Sequence, residues 1–231
     1  MQFYEIELVH NRNEFTIAGG IWVNPPSYDK KCSVCGKAIL EWPDEIEIEL
    51  ERVGRAGFVE VLYNGPLAIF RQDVIDLWQS SGFTGFTTRS VRITGWRKGK
   101  GREKRPFPAE IPQYRQLVVT SKVALKQPPL LYRCPACGHK KYDFDRKTGL
   151  HVDVSTWDGS SIFGTDGSTH ILCVREVAEV TLRAGLGKSI PFVRADMYGT
   201  WENYNAQKWK HSVGAYNRML EQYIIRRVED L

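Results

Sequence analysis

Cys32-Ser33-Val34-Cys35-Gly36 and Cys134-Pro135-Ala136-Cys137-Gly138 place four thiols in two Cys-x-x-Cys-Gly knuckles, the spacing with which a chain wraps a tetrahedral metal ion. The two intervening residues let both sulfurs of a knuckle point at one ion, and the glycine permits the tight turn that aims backbone N–H groups at them. Four thiolates close a structural site and leave no open position for a substrate. Cys134-Pro135-Ala136-Cys137 alone also fits a thioredoxin-like redox pair. Two matching copies, each followed by Gly, favour a structural zinc ion held by Cys32, Cys35, Cys134 and Cys137. Cys134 follows Cys32 by 102 positions, so the ion clips a long stretch of chain.

The other reactive side chains form no matched set. His10, His139, His151, His170 and His211 include no His-Glu-x-x-His pair, and the chain has no Gly-x-Ser-x-Gly elbow and no phosphate-cradling loop. His139 lies just past Cys137, but four thiolates already complete a ligand set. Asp153 and Asp158 imitate a carboxylate dyad, although the surrounding Asp158-Gly159-Ser160-Ser161 reads as turn chemistry. Cys173, inside Ile171-Leu172-Cys173-Val174, reads as a small buried hydrophobe. The chain is therefore expected not to be an enzyme.

Zinc knuckles need elements to hold them, and composition allows a real core. The 231 residues are 42% hydrophobic and 12% aromatic, which excludes a disordered tail and suits one large or two small domains. A formal charge of +5 is only a mild hint of an anionic partner. Five thiols, four of them in knuckles, suit a reducing compartment. The start shows no basic leader followed by an apolar stretch, and no run reaches membrane-spanning length, so a cytoplasmic protein with no membrane partner is expected.

The elements repeat. Leu67 to Phe83 overlies His170 to Leu186 with Gly82 falling on Gly185, and each copy reads as a short apolar strand, a helix with a Val74, Leu77, Trp78 face, and a capping Gly. Glu45 to Glu51 alternates strictly, with Ile46, Ile48 and Leu50 inward. Gln2 to Val9, Gln116 to Leu125 and Leu150 to Val154 are further strand candidates. Trp209, Val213, Tyr216, Leu220, Ile224 and Val228 recur at helical steps and predict a long amphipathic C-terminal helix. The expected fold is α+β: two related halves, each a zinc knuckle plus a strand–helix–strand unit, joined at one four-cysteine zinc site. The boundaries are 1–100, 101–196 and a helical extension 197–231, packed as one globular unit.

Between the halves, Trp96 to Pro106 is glycine-punctuated and strongly basic. Such a run binds phosphates in some proteins, so a zinc-containing nucleic-acid binder using residues 96–105 is the alternative function. Trp96 is its only aromatic residue and no recognition helix carries its charges, which disfavours nucleic acid as a partner. Arg97, Lys98, Lys100 and Arg102 are instead assigned to a partner-binding surface whose charges speed encounter.

The doubled Cys-x-x-Cys-Gly with Trp42-Pro43 soon after the first resembles the double-CXXCG motif family of bacterial proteins, which includes Sit-type immunity proteins. Trp157-Asp158-Gly159-Ser160-Ser161-Ile162-Phe163, His170-Ile171-Leu172-Cys173-Val174 and the helix ending Leu182-Arg183-Ala184-Gly185-Leu186 are similar to that family's Asp-Gly-Ser loop, strand and helix. The resemblance runs from about residue 1 to 196; the basic insertion at 96–105 and the tail after Asp196 depart from it. It implies a role in bacterial competition, as an immunity protein that neutralises a co-encoded secreted toxin domain by stoichiometric protein–protein contact.

Overall fold

The computed structural model describes residues 1–6, 20–50, 58–64, 67–96, 109–127, 129–143, 149–197 and 224–231. The strands of the first part of the chain are β1 (Phe3–Ile6), β2 (Gly20–Trp22), β3 (Glu45–Leu50), β4 (Val61–Asn64), β5 (Leu67–Arg71) and β6 (Phe86–Trp96), with helix α1 (Gln72–Ser80) between the last two. Then come β7 (Tyr114–Val119), β8 (Lys122–Val123), β9 (Leu125–Gln127), β10 (Leu130–Arg133), β11 (Lys140–Tyr142) and β12 (His151–Val152). The chain continues through β13 (Ile162–Thr165), β14 (Ile171–Val174), helix α2 (Arg175–Arg183) and β15 (Phe192–Arg194). The architecture is α+β and mostly sheet, and no described helix is long and apolar enough to cross a membrane.

One six-stranded sheet has the order β2-β3-β6-β7-β5-β4 and one five-stranded sheet the order β15-β1-β14-β13-β8. The alternation of Glu45 to Leu50 does what its period requires: Ile46, Ile48 and Leu50 are buried, while Glu45 and Glu47 turn outward to ion pairs with Arg92. β5 does not alternate, because both faces of its sheet are covered: Leu67 and Ile69 enter one apolar cluster with Ile46 and Ile48, while Ala68 and Phe70 enter another with the helices.

α1 buries Val74, Ile75 and Trp78, with Leu77 partly covered; α2 buries Val177, Ala178, Thr181 and Leu182. Both faces meet in one cluster that also takes Tyr4 and Ile6 from β1 and Leu117 from β7. Inside it the indole Nε1 of Trp78 donates to Thr181 Oγ1 at 2.8 Å, so the two helices touch at positions 103 residues apart, the same shift that aligns them in sequence. Each helix is followed by a glycine with positive φ, Gly82 and Gly185.

The pairing registers of the two sheets repeat one another. β7 lies antiparallel to β5, with Tyr114 opposite Arg71 and Gln116 opposite Ile69; β1 lies antiparallel to β14, with Phe3 opposite Val174 and Glu5 opposite Leu172. On its other side β7 pairs with β6, and β1 with β15. So β5 and β6, joined through α1, are parallel strands with β7 between them, and β14 and β15, joined through α2, are parallel strands with β1 between them. Each is a split β-α-β unit whose slot is filled by a strand from elsewhere in the chain. β1 sits with α2 and β7 with α1, a crossing that the boundaries 1–100 and 101–196 do not anticipate.

Other expectations meet the structure unevenly. The candidate strand at Gln116 to Leu125 begins earlier, at Tyr114, and breaks into β7, β8 and β9; the one at Leu150 to Val154 shortens to β12 and gives way to a 3-10 turn at Val154–Thr156. Residues 197–223 of the expected C-terminal helix lie, apart from Met197, outside the described residues. The last eight residues are not α-helical: Ile225 exchanges backbone hydrogen bonds with Phe192 of β15, and Val228 opens a 3-10 turn. That pairing extends the chain so that Ile225, Val228 and Leu231 reach the helical core.

Candidate metal centre

Each knuckle is the tip of a hairpin, and the two tips are built from the same backbone hydrogen bonds. In the first, Cys32 N–H donates to Lys37 C=O (2.9 Å) and Gly36 N–H to Cys32 C=O (2.9 Å), above bridges between Lys31 and Ala38 and between Ser27 and Glu41. In the second, Cys134 N–H donates to His139 C=O (2.8 Å) and Gly138 N–H to Cys134 C=O (2.9 Å), above the β10–β11 pair. Gly36 (φ 69°) and Gly138 (φ 70°) both take the left-handed turn. A Cβ at either would meet nothing within 4 Å, so backbone conformation and not space demands the glycine.

Both hairpins are tied to a sheet by an aromatic at the end of the second arm or just after it. Trp42 packs on Trp22 of β2 with ring centroids 4.9 Å apart, and Tyr142 is buried beside Phe163 and Leu172. The second hairpin is further held by the ion pair of Lys140 with Asp166. At Gly167 a Cβ would come within 2.4 Å of Lys140 O, so only glycine lets the β13–β14 turn approach this hairpin so closely.

These anchors bring all four cysteines together. Cys32 Sγ lies 3.7 Å from Cys134 Sγ and Cys35 Sγ 3.6 Å from Cys137 Sγ, with the four sulfurs all within 4.8 Å of one another. A zinc ion bound at about 2.3 Å to each sulfur of a regular tetrahedron sets those sulfurs roughly 3.8 Å apart. The set therefore fits a metal site of four thiolates, and the pairs are far too long for disulfides, which require about 2.05 Å.

The electrostatics point the same way. Cys134 is lowered to about 6, chiefly by backbone N–H groups of Cys137 and Ala136, with the Tyr132 hydroxyl also donating to its sulfur. Cys32 is lowered by the N–H groups of Cys35 and Val34. At Cys137 the His139 N–H pulls downward, but desolvation and the sulfurs of Cys32, Cys134 and Cys35 outweigh it and push the thiol up to about 12. At Cys35 the Lys37 N–H pulls downward, as does Cys137, but desolvation and the sulfurs of Cys134 and Cys32 raise the thiol. Backbone N–H groups lower one thiol in each knuckle while crowding by the neighbouring sulfurs raises the other, a conflict that a bound cation would relieve.

Cys173 is fully buried, and burial raises its thiol well above the ordinary value. Asp153 caps the turn at Val154–Thr156, and Asp158 accepts hydrogen bonds from Ser121 Oγ and Ser160 N–H; both are held below the usual carboxylate range by such hydrogen bonds, from Ser155 and Ser160 first. Arg97, Lys98, Lys100 and Arg102 lie outside the described residues.

One buried pair was not anticipated. Glu5, in the middle of β1, is buried with Oε1 2.7 Å from His170 Nδ1, and Oε2 has no hydrogen-bond partner among the described residues. Alternation in Phe3-Tyr4-Glu5-Ile6 suggests an outward carboxylate, but β1 is interior to its sheet and covered on both faces. Burial raises its carboxyl, against the opposing pull of His170. No protein-family model matches the chain, and no curated protein matches it in sequence.

Proposed function

We propose that this chain is an immunity protein that binds a co-encoded bacterial toxin domain one to one and neutralises it without turnover. The observation that supports the reading is the four-cysteine set: sulfurs from two hairpins distant in sequence lie within 4.8 Å of one another, and four thiolates on one ion would fix chain segments and leave no free coordination position. Zinc is the metal best suited to such a set, with Cys32, Cys35, Cys134 and Cys137 as ligands and a structural role. The resemblance to double-CXXCG proteins supplies the biological setting, a cytoplasmic protein protecting its own cell.

In the same reading the chain consists of two related halves that exchange their first strands. In each half a first strand and a knuckle are followed, after intervening strands, by an antiparallel pair (β4–β5 or β13–β14), a helix and a strand; β1 completes the α2 unit and β7 completes the α1 unit. The near-equal shifts of 102 and 103 at which Cys32 meets Cys134, Cys35 meets Cys137 and Trp78 meets Thr181 are what a two-fold axis through the centre produces, since residues near such an axis touch their own counterparts.

The test is titrated protection. Cells expressing the toxin domain encoded beside this chain are expected to survive when the chain is made in equal or greater amount, with the two purified proteins forming a one-to-one complex. Protection far below one chain per toxin marks an enzyme, and protection without a complex removes the binding mechanism.

A further inference from the structure

Large apolar side chains are not scattered over the described surface. Tyr28, Val34, Ile39 and Leu40 on the first hairpin and Leu130, Leu131 and Tyr132 on the second are exposed, Leu131 by 58% and Val34 by 57%. Elsewhere among the described residues only Met1, Val23 and Val154 are comparable. None of the seven hairpin side chains enters the three apolar clusters that hold the fold together. They lie outside the packed core, although the Tyr132 hydroxyl also donates to Cys134, and they sit on the arms and tips of the two hairpins that the cysteines bring side by side. Concentrated apolar exposure of this kind marks an interaction site.

Charge decides what it meets. Lys30 is paired with Glu41 and Lys140 with Asp166, while Lys31, Lys37, Arg133 and Lys141 outnumber the exposed acids Asp29 and Asp143 on the same hairpins. A second copy of this chain would set the same basic rim against itself, which disfavours self-association. A single-stranded nucleic acid needs ring faces on which to stack, and five of the seven side chains are aliphatic.

We propose that the two cysteine-clamped hairpins form one docking surface for a folded protein partner with an apolar centre and an acidic rim. This rests on the immunity reading, and it moves the toxin contact from the basic stretch at 97–102 to the knuckles. It also gives the metal a second consequence: by fixing one tip against the other, the four ligands hold the surface in its binding shape, so that little is lost to ordering when the partner arrives.

The experiment measures binding of the purified toxin domain encoded beside this chain. It compares the wild-type chain, Ile39→Asp, Leu131→Asp, the charge-reversed pair Lys31→Glu with Arg133→Glu, and Val154→Asp as a surface control. Metal content and thermal midpoint are followed in each, and because all these side chains are exposed both are expected to hold. Affinity should fall at least about 30-fold in Ile39→Asp or Leu131→Asp, as at the centre of an interface, and stay at the wild-type level in Val154→Asp. The charge-reversed pair should associate more slowly and with weaker salt dependence. Wild-type affinity in both apolar variants, with the wild-type chain binding, overturns the docking surface and leaves immunity standing. A wild-type chain that does not bind the toxin domain overturns both. Self-association, binding to anionic vesicles or binding to a single-stranded oligonucleotide that is lost in Leu131→Asp, with toxin binding retained, assigns the surface to that other partner and overturns the proposal.

Discussion

The six-stranded and five-stranded sheets present the same slot to the same kind of strand and fill it differently. In the first, the inserted β7 carries Gln116, a neutral amide that accepts from Arg89 across the strand pair at 3.0 Å. In the second, the inserted β1 carries Glu5, a buried carboxylate answered by His170. The edges differ as well: β6 runs on for 11 residues and pairs with β3, whereas β15 has three residues and is completed by the backbone of Ile225. A buried carboxyl and a C-terminal strap make the five-stranded sheet more dependent on pH and on distant chain than the six-stranded one.

The harshest way to break the comparison is to empty a slot. Deleting residues 1–6 leaves β14 and β15 without their common neighbour and removes Phe3, Tyr4 and Ile6 from two apolar clusters. At roughly 1.5–3 kcal/mol per buried side chain, the loss approaches the whole stability of an ordinary domain, about 5–15 kcal/mol. The truncated chain should lack cooperative thermal unfolding by circular dichroism. A cooperative transition within a few degrees of the full chain would show that the slot is dispensable.

Cys134→Ser should come next. It takes one ligand from the centre and the backbone-prepared thiolate from its knuckle, and a loss above about 4 kcal/mol is expected, a size confined to mechanisms such as lost metal sites. Cys173→Ser changes a thiol outside the centre and should leave metal content unaltered by elemental analysis. Equal metal content in both variants would remove Cys134 from the ligand set.

Between the helices, Thr181→Val keeps the volume and removes the acceptor of the Trp78 indole. An unsatisfied buried donor costs about 1–3 kcal/mol, to be read from denaturant midpoints at unchanged slope. A neutral result would mean that the indole finds another partner and that the contact between α1 and α2 is incidental.

The smallest effect should be the most diagnostic of the difference between sheets. A carboxyl raised by burial binds its proton more tightly folded than unfolded, so the stability linked to Glu5 is present below the unfolded value and lost as pH rises through the folded one. Stability should therefore decline from about pH 4.5 upward by the share that Glu5 contributes. Glu5→Gln, which installs the residue type found in the other slot, should flatten that decline in urea titrations across pH 4–8 and change stability little at low pH. An unchanged slope would assign the pH dependence to other groups.

What was legible in the sequence is what required particular residue types. Four thiols and two left-handed glycines have few substitutes, so Cys32, Cys35, Cys134 and Cys137 with Gly36 and Gly138 stand out, and the strand–helix–Gly unit repeats because Val74 and Val177 meet the same burial. The pairing of β1 with β14 and of β7 with β5 was not legible. Phe3-Tyr4-Glu5-Ile6 and Tyr114-Arg115-Gln116-Leu117 match in an aromatic, a Glu or Gln and an aliphatic residue, a likeness too short to stand out, and which slot each enters is decided by tertiary packing. The depth of Glu5 was hidden for the same reason, since alternation predicts a face and cannot show that both faces are covered. The exposed side chains of the knuckles were visible as Ile39-Leu40 and Leu130-Leu131-Tyr132, but a hydrophobic run reads as core until a structure places it outside.

Whether one metal ion joins the two hairpins through four thiolates is decided by native mass spectrometry of the chain purified without added metal. About one zinc ion per chain is expected, by the four-ligand rule for a structural site, released only together with thermal destabilisation. A folded chain at its metal-free mass, with Cys32, Cys35, Cys134 and Cys137 all open to alkylation or joined in disulfides, would contradict it.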